Sequence, residues 1–256
     1  MTMLDKISYT SKLRSTNSSI KTFLSVGTLL ICVCSRSLLV SAIVFLTMSV
    51  LVTVKGGIPL LQYIKYMSIP LLFLILSTIA IPFNFSETPL DLWAIPLLGK
   101  YLTISKQGII TAVNLIATAF SCVSCLYLLI LTTPVIDLLG VLKKLHLPAI
   151  LIEILLLMYR FIFVLLDVGE AILISQKCRL GHKNIKTSIT SMGKMLSVLF
   201  MNAFQKTTYL YDAMESRCYD GEIPLLTKKV PIKKSEFLFT ILFLFILTIL
   251  AIIFNQ

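Results

Sequence analysis

Charge is scarce in this chain. Only 14% of its 256 residues are Asp, Glu, Lys or Arg, and 57% belong to the hydrophobic set; an ordinary soluble domain carries roughly 25% charged residues. A soluble globular protein is excluded. No G-x-x-x-x-G-K-[ST] loop is present to cradle nucleotide phosphates, so any ATP involved must be hydrolysed by a partner. H-E-x-x-H and G-x-S-x-G are also absent, and no paired aspartates sit within an apolar run, so membrane hydrolase and metal-dependent transferase chemistry lack their residues. The two histidines, His146 and His182, lie far apart beside basic helix ends and read as solvated surface groups. Nor is there an internal repeat of fixed period or a pair of inverted halves, which weighs against a transporter built from symmetric repeats. No catalytic, metal or cofactor-binding residue is assigned, and the chain is expected to be neither an enzyme nor a cofactor carrier.

What is present is long apolar runs. Thr22 to Cys34 and Leu38 to Val54 form a candidate helical hairpin around Ser35-Arg36-Ser37, followed by Met67 to Phe83, Ile109 to Leu131 and, at the end of the chain, Phe237 to Phe254. Some of these are shorter than the roughly 20 residues of a full span and must recruit flanking residues or tilt little. The first four contain no Asp, Glu or His, where a substrate path or proton relay would show them. Cys32, Cys34, Cys122 and Cys125 fall inside these runs and read as small hydrophobes rather than as disulfide or metal partners. Some twenty polar residues precede the first run and no small-residue cleavage site follows it, so it is expected to remain in the mature protein.

Orientation follows from the 23 basic against 12 acidic residues, a net +11 that reports topology and anionic headgroups and not a nucleic-acid partner. The N-terminal arm (Lys6, Lys12, Arg14, Lys21 against Asp5) and the link with Lys55 and Lys65 are basic. Residues 84–108 offset Lys100 and Lys106 with Glu87 and Asp91, and offer Trp93 and Tyr101 as interfacial anchors. The N-terminus is expected to be cytoplasmic. Four spans later the chain returns to that side, where Pro134 to Glu236 holds 14 of the basic and 9 of the acidic residues.

That segment is too helical and too apolar for a free loop. Thr132-Thr133-Pro134 opens a short amphipathic helix, Val135 to Leu145, which Pro148 ends. Ala149 to Lys177 reads as one long helix with Glu153, Arg160 and Asp167 at intervals of seven, close to one face. A third helix, about Ile185 to Arg217, carries Ile185, Ile189, Met192, Leu196, Leu199, Ala203, Leu210 and Met214 on one stripe, suited to lying on a neighbour. Residues 149–166 are also long and apolar enough to cross the bilayer. A crossing would put the basic stretch from Lys177 to Lys194 outside, against the charge bias; a dipping helix stands as a further alternative. The expected fold is an all-α polytopic membrane protein: residues 1–131 as arm and transmembrane helices, 132–236 as a cytoplasmic-side helical module, and 237–256 as a fifth transmembrane helix.

Two similar endings stand out. Gln176-Lys177-Cys178-Arg179-Leu180-Gly181 closes the second cytoplasmic helix and Met214-Glu215-Ser216-Arg217-Cys218 the third, with Gly181 and Gly221 near the stops. One reading is that each arginine complements a helix dipole, worth roughly 0.3 to 1 kcal/mol. The other is that a guanidinium at a rigid helix tip makes a bidentate contact with a partner carboxylate.

Together with Leu4-Asp5-Lys6-Ile7-Ser8-Tyr9, Lys12-Leu13-Arg14, Lys21, Thr132-Thr133-Pro134, Leu147-Pro148 and Met158-Tyr159-Arg160-Phe161, these endings resemble the transmembrane component of energy-coupling factor (ECF) transporters, in its cobalt-type CbiQ branch. The resemblance implies a coupling subunit in the lipid bilayer of the cell membrane, bound to two cytoplasmic ATPase subunits and to a separate substrate-binding membrane subunit, with cobalt as cargo; nickel or a vitamin stays open. It further implies that a signature of the form Ala-Arg-Gly docks into each ATPase, here Cys178-Arg179-Leu180 and Ser216-Arg217-Cys218. Cys178 and Ser216 keep the first position small. Leu180 does not keep the third small, so close approach at the first tip is expected to fall to Gly181. The rival readings are a membrane enzyme acting on lipid headgroups and a stand-alone transporter, and neither calls for associated ATPases.

Overall fold

The computed structural model describes residues 3–35, 37–79, 81, 83–86, 94–97, 100–104, 106–221, 223 and 230–254. It divides into two compact units, one of Thr2–Leu138 with Lys228–Gln256, the other of Leu139–Thr227. In the first unit a short amphipathic helix α1 (Met3–Thr10) and a 3-10 turn lead into α2 (Ser18–Ser35), α3 (Leu38–Val50), α4 (Leu60–Thr78), α5 (Lys106–Thr132) and α9 (Lys234–Phe254). Helix α6 (Val135–Lys144) crosses the division, and α7 (Ala149–Cys178) and α8 (Ile185–Glu215) make up the second unit.

Among the described residues six helices are long and apolar enough to cross a membrane: α2, α3 with its extension to Lys55, α4, α5, α7 and α9. The all-α polytopic class is the one read from the sequence, with α7 added to the five expected runs by length and composition. Helix α4 begins at Leu60, seven residues before the apolar run expected at Met67, because Pro59 supplies the extended residue that starts a helix. Phe83 falls outside α4, in a small antiparallel sheet of β1 (Phe83–Ser86), β3 (Lys100–Ile104) and β2 (Ala94–Leu97), in that spatial order. Phe83 pairs with Ile104, and Ala94 with Thr103. Trp93, expected as an anchor, lies outside the described residues.

Packing within the first unit is of the membrane kind, where small and hydroxylated residues let helices approach. Ser25 Oγ donates to Cys125 O at 2.6 Å and Ser121 Oγ to Ser41 O at 2.6 Å, tying α5 to α2 and α3. Gly27 of α2 faces Leu244 of α9, whose side chain would lie 3.1 Å from an added Cβ. Around these contacts Leu24, Val40, Val44, Met48, Leu128, Leu131 and Leu247 form the core. The outward surfaces stay apolar: Leu61 of α4 is 84% exposed, and Ile69, Phe73, Phe245 and Ile252 are also exposed. Such surface requires lipid or a membrane partner.

The basic arm is folded onto this unit instead of trailing from it. Lys12 N–H and Ser11 Oγ both donate to Gly56 O, and Asn17 Nδ2 donates to Val230 O at 2.7 Å. Lys21, only 6% exposed, donates to Leu13 O at 3.1 Å and to Thr132 O at 2.8 Å, so its ammonium caps the last turn of α5. Lys21→Met leaves both carbonyls without that donor and is expected to cost about 2 kcal/mol, measured as a lower thermal midpoint in detergent.

Candidate functional site

Helices α7 and α8 form an antiparallel hairpin, and contacts at three levels fix its register. Near the connection Gln176 Nε2 donates to Ser191 O at 2.8 Å and Ser191 Oγ to Gly181 O at 2.9 Å. Midway, Gly169 faces Leu199. At the far end Tyr219 Oη donates to Glu153 Oε2 at 2.8 Å and Ile223 N–H to Glu153 Oε1 at 2.6 Å. Helix α8 starts where it does because Asn184 and Thr187 form a reciprocal capping box: the Asn184 side chain accepts a backbone N–H, and Asn184 N–H donates to Thr187 Oγ1 at 3.0 Å.

Both arginine endings fold into the same stop. At the end of α7, Leu180 N–H donates to Lys177 O at 3.1 Å and Gly181 N–H to Gln176 O at 2.8 Å. At the end of α8, Cys218 N–H donates to Glu215 O at 3.0 Å and Tyr219 N–H to Met214 O at 3.1 Å. Each is a Schellman pair, which turns the chain through one left-handed residue. That residue is Leu180 (φ 57°) in one case and Cys218 (φ 58°) in the other. Arg179 and Arg217 thus hold the same position of the same motif, the last residue before the reversal.

This geometry bears on the third position of the Ala-Arg-Gly form that the resemblance implies. Glycine fits there because it adopts a left-handed φ without a Cβ penalty. At Leu180, which is 69% exposed, the left-handed φ of 57° adds a conformational cost to the question of size. Gly181 is tightly enclosed within the hairpin itself: an added Cβ would stand 2.9 Å from Gln176 O and 2.9 Å from Ser191 Oγ. Leu180→Gly is expected to raise hairpin stability by about 1 kcal/mol, read as a higher unfolding midpoint.

All six signature residues, Cys178, Arg179, Leu180, Ser216, Arg217 and Cys218, are exposed. Neither guanidinium makes an ion pair or side-chain hydrogen bond with a described residue; among those residues the one ion pair is Lys233–Glu236 at 3.9 Å. The hairpin does not bring the arginines together. It sets them at opposite ends of two helices of 30 and 31 residues, about 45 Å apart at 1.5 Å per residue.

The apolar stripe of α8 is less covered than its pattern suggests. Leu199, Ala203, Leu210 and Met214 are half-buried, whereas Ile185, Ile189, Met192 and Leu196 are exposed. On α7, Glu153 is buried while Arg160 and Asp167, expected on the same face, are exposed. The functional feature that sequence reasoning misses is the Glu153 contact. A carboxylate in an apolar helix start demands donors, but nothing in the spacing identifies Tyr219 and Ile223, some seventy residues away. The carboxylate beside it pushes the Tyr219 phenol above its ordinary value, chiefly through their hydrogen bond. The histidines are not drawn together: His182 Nδ1 lies 2.9 Å from Ser188 Oγ, and His146 occupies a left-handed turn after α6. Among the described residues no three His, Cys, Asp or Glu side chains cluster as metal ligands would.

Residues 10–228 match the family described as cobalt transport protein, CbiQ. The chain is 34% identical over 224 residues to an uncharacterised protein of Methanocaldococcus jannaschii, covering 88% of this chain and 83% of that one. It is 29% identical over 169 residues to the cobalt transport protein CbiQ of Salmonella typhimurium, covering 66% and 75%. To the energy-coupling factor transporter transmembrane protein EcfT of Lactococcus lactis it is 31% identical over 166 residues, covering 59% and 60%. With a family match over most of its length and six helices of spanning character, this chain is a multi-pass membrane protein that belongs to the CbiQ cobalt transport family.

Proposed function

We propose that the chain is the coupling subunit of an ECF-type importer. Two cytoplasmic ATPases dock on the tips at Arg179 and Arg217, and the α7–α8 hairpin passes their ATP-driven movement to a separate substrate-binding membrane subunit. The observation that carries this reading is the repetition of one stop motif, each with an exposed arginine that no described residue pairs, at the two ends of a single hairpin. A planar guanidinium on a fixed backbone suits directional, bidentate contact with a carboxylate. Tips about 45 Å apart suit two separate subunits better than one groove. Cobalt ion as cargo, taken up through the partner subunit, rests on the names of the relatives, and the coupling role on the EcfT relative.

The hairpin is proposed to lie on the cytoplasmic side without crossing. Helix α7 alone has the length and apolarity of a span, but α8 is packed along it from Ser191 to Tyr219. A crossing α7 would carry α8 through the bilayer with Lys194, Lys206, Asn202 and Gln205 on it, at several kcal/mol. The same crossing would separate the two arginines by the membrane. With the N-terminus cytoplasmic, as the basic arm favours, both tips face the cytosol. Purification of the tagged chain from cells expressing its neighbours tests this: two ATPase subunits per chain are expected, and a chain that functions in uptake without any ATPase contradicts the reading.

A further inference from the structure

The two tips share a backbone motif but not a support. Arg179 is followed within a few residues by α8, so the chain itself closes behind the tip, and Gln176, Gly181 and Ser191 lock that turn. Among the described residues Arg217 has no such closure. After Cys218 the next described helix begins only at Lys234. Among the described residues, this end is tied to α7 by Glu153, one turn into α7 and 9% exposed, whose two carboxylate oxygens accept from Tyr219 Oη at 2.8 Å and from Ile223 N–H at 2.6 Å.

We infer that Glu153 is the positioning residue of the second tip: by holding Tyr219 and Ile223 it fixes the direction in which Arg217 leaves the hairpin. This inference rests on the docking role of the arginines and adds to it an asymmetry between the two ATPase sites. The chemistry suits the task. A carboxylate offers acceptors in two directions at once, so one side chain can hold a phenol and a backbone N–H on either side of a turn. Hydrogen bonds to an ionised acceptor are also the strong kind. The left-handed Cys218 lies directly between Arg217 and Tyr219. Its strained φ is held from one side by the Schellman pair and from the other by the Tyr219–Glu153 bond. Release of Tyr219 removes the second restraint and lets the Arg217 direction scatter. Arg179, whose restraints are within its own turn, should be indifferent to Glu153.

The protein provides its own reporters, because Cys178 and Cys218 are exposed and adjoin the two arginines. The experiment uses the full chain in nanodiscs, with and without its ATPases. A nitroxide is placed on Cys218 with Cys34 and Cys178 replaced by alanine, and in a second chain on Cys178 with Cys34 and Cys218 replaced. In Glu153→Ala the label at 218 is expected to become mobile while the label at 178 keeps its spectrum, and ATPase binding by the unlabelled variant should weaken about tenfold. Tyr219→Phe, which deletes a single oxygen and keeps the ring, should give the same selective change with a smaller loss, and it serves if Glu153→Ala fails to fold. Equal mobilisation at both labels, or an unchanged spectrum at 218 in Tyr219→Phe, overturns the inference while leaving the docking role intact. Unaltered ATPase binding in Arg217→Ala would instead overturn the docking role, and the positioning role with it.

Discussion

Replacement of both Arg179 and Arg217 by alanine is expected to abolish transport and to strip the ATPases from the complex, while the membrane helices stay folded. Truncating one partner of a desolvated, hydrogen-bonded charge pair costs about 2 to 4 kcal/mol, or roughly 30- to 1000-fold in affinity, and the second truncation acts on a site about 45 Å away, so the two losses should add. Each single alanine variant should retain residual association through the other tip. Arg→Lys at either position keeps the charge but loses the fork and should recover only part of the binding. If the arginines merely complemented helix dipoles, lysine would substitute fully, because that term is a point-charge effect of roughly 0.3 to 1 kcal/mol. Pull-down of the ATPases against salt concentration, together with uptake in whole cells, distinguishes these outcomes. Both arginines are exposed and without described partners, so thermal stability should move by less than about 0.5 kcal/mol.

Gly181→Val is the substitution expected to damage the hairpin most. An added Cβ would stand 2.9 Å from the Gln176 carbonyl oxygen and from Ser191 Oγ, and the two methyl groups beyond it have no room. The turn must open, breaking the bonds from Gln176 to Ser191 and from Ser191 to Gly181. A loss of about 3 kcal/mol follows from strain together with the broken hydrogen bonds. It should appear as faster proteolysis between α7 and α8 and as weaker binding of the ATPase proposed to dock at the first tip. Gly193→Ala is the control: nothing lies within 4 Å of an added Cβ there, and alanine in that exposed helix should stabilise by about 1 kcal/mol.

How far the sequence could be read depends on whether each feature arises locally. The apolar runs of α2, α3, α5 and α9 are legible because lipid requires every spanning backbone group to be satisfied within its own helix. The start of α4 is not, since Gln62, Tyr63 and Lys65 resemble a polar link; Tyr63 is nevertheless buried, with its hydroxyl 3.2 Å from Ser49 Oγ. The sheet at 83–104 is missed because its three strands are four or five residues long and set between spans. Within the candidate site, the helix stops at Arg179 and Arg217 are visible as paired patterns. Their shared left-handed residues are obscured because leucine and cysteine stand where glycine would signal the turn. The Glu153 contact with Tyr219 and Ile223 is invisible from spacing, because it depends on how two 30-residue helices align once they pack.

The two arginine tips are expected to face the same compartment, and the native thiols beside them, Cys178 and Cys218, report on it directly. In a chain with Cys34 replaced by alanine, Cys178 and Cys218 can be labelled with a membrane-impermeant maleimide in inverted and in right-side-out vesicles. Both cysteines are expected to react in the inverted vesicles and to be protected in the others, with ATPase binding shielding them together. Reaction of one cysteine from each side would make α7 a true crossing and end the coupling account.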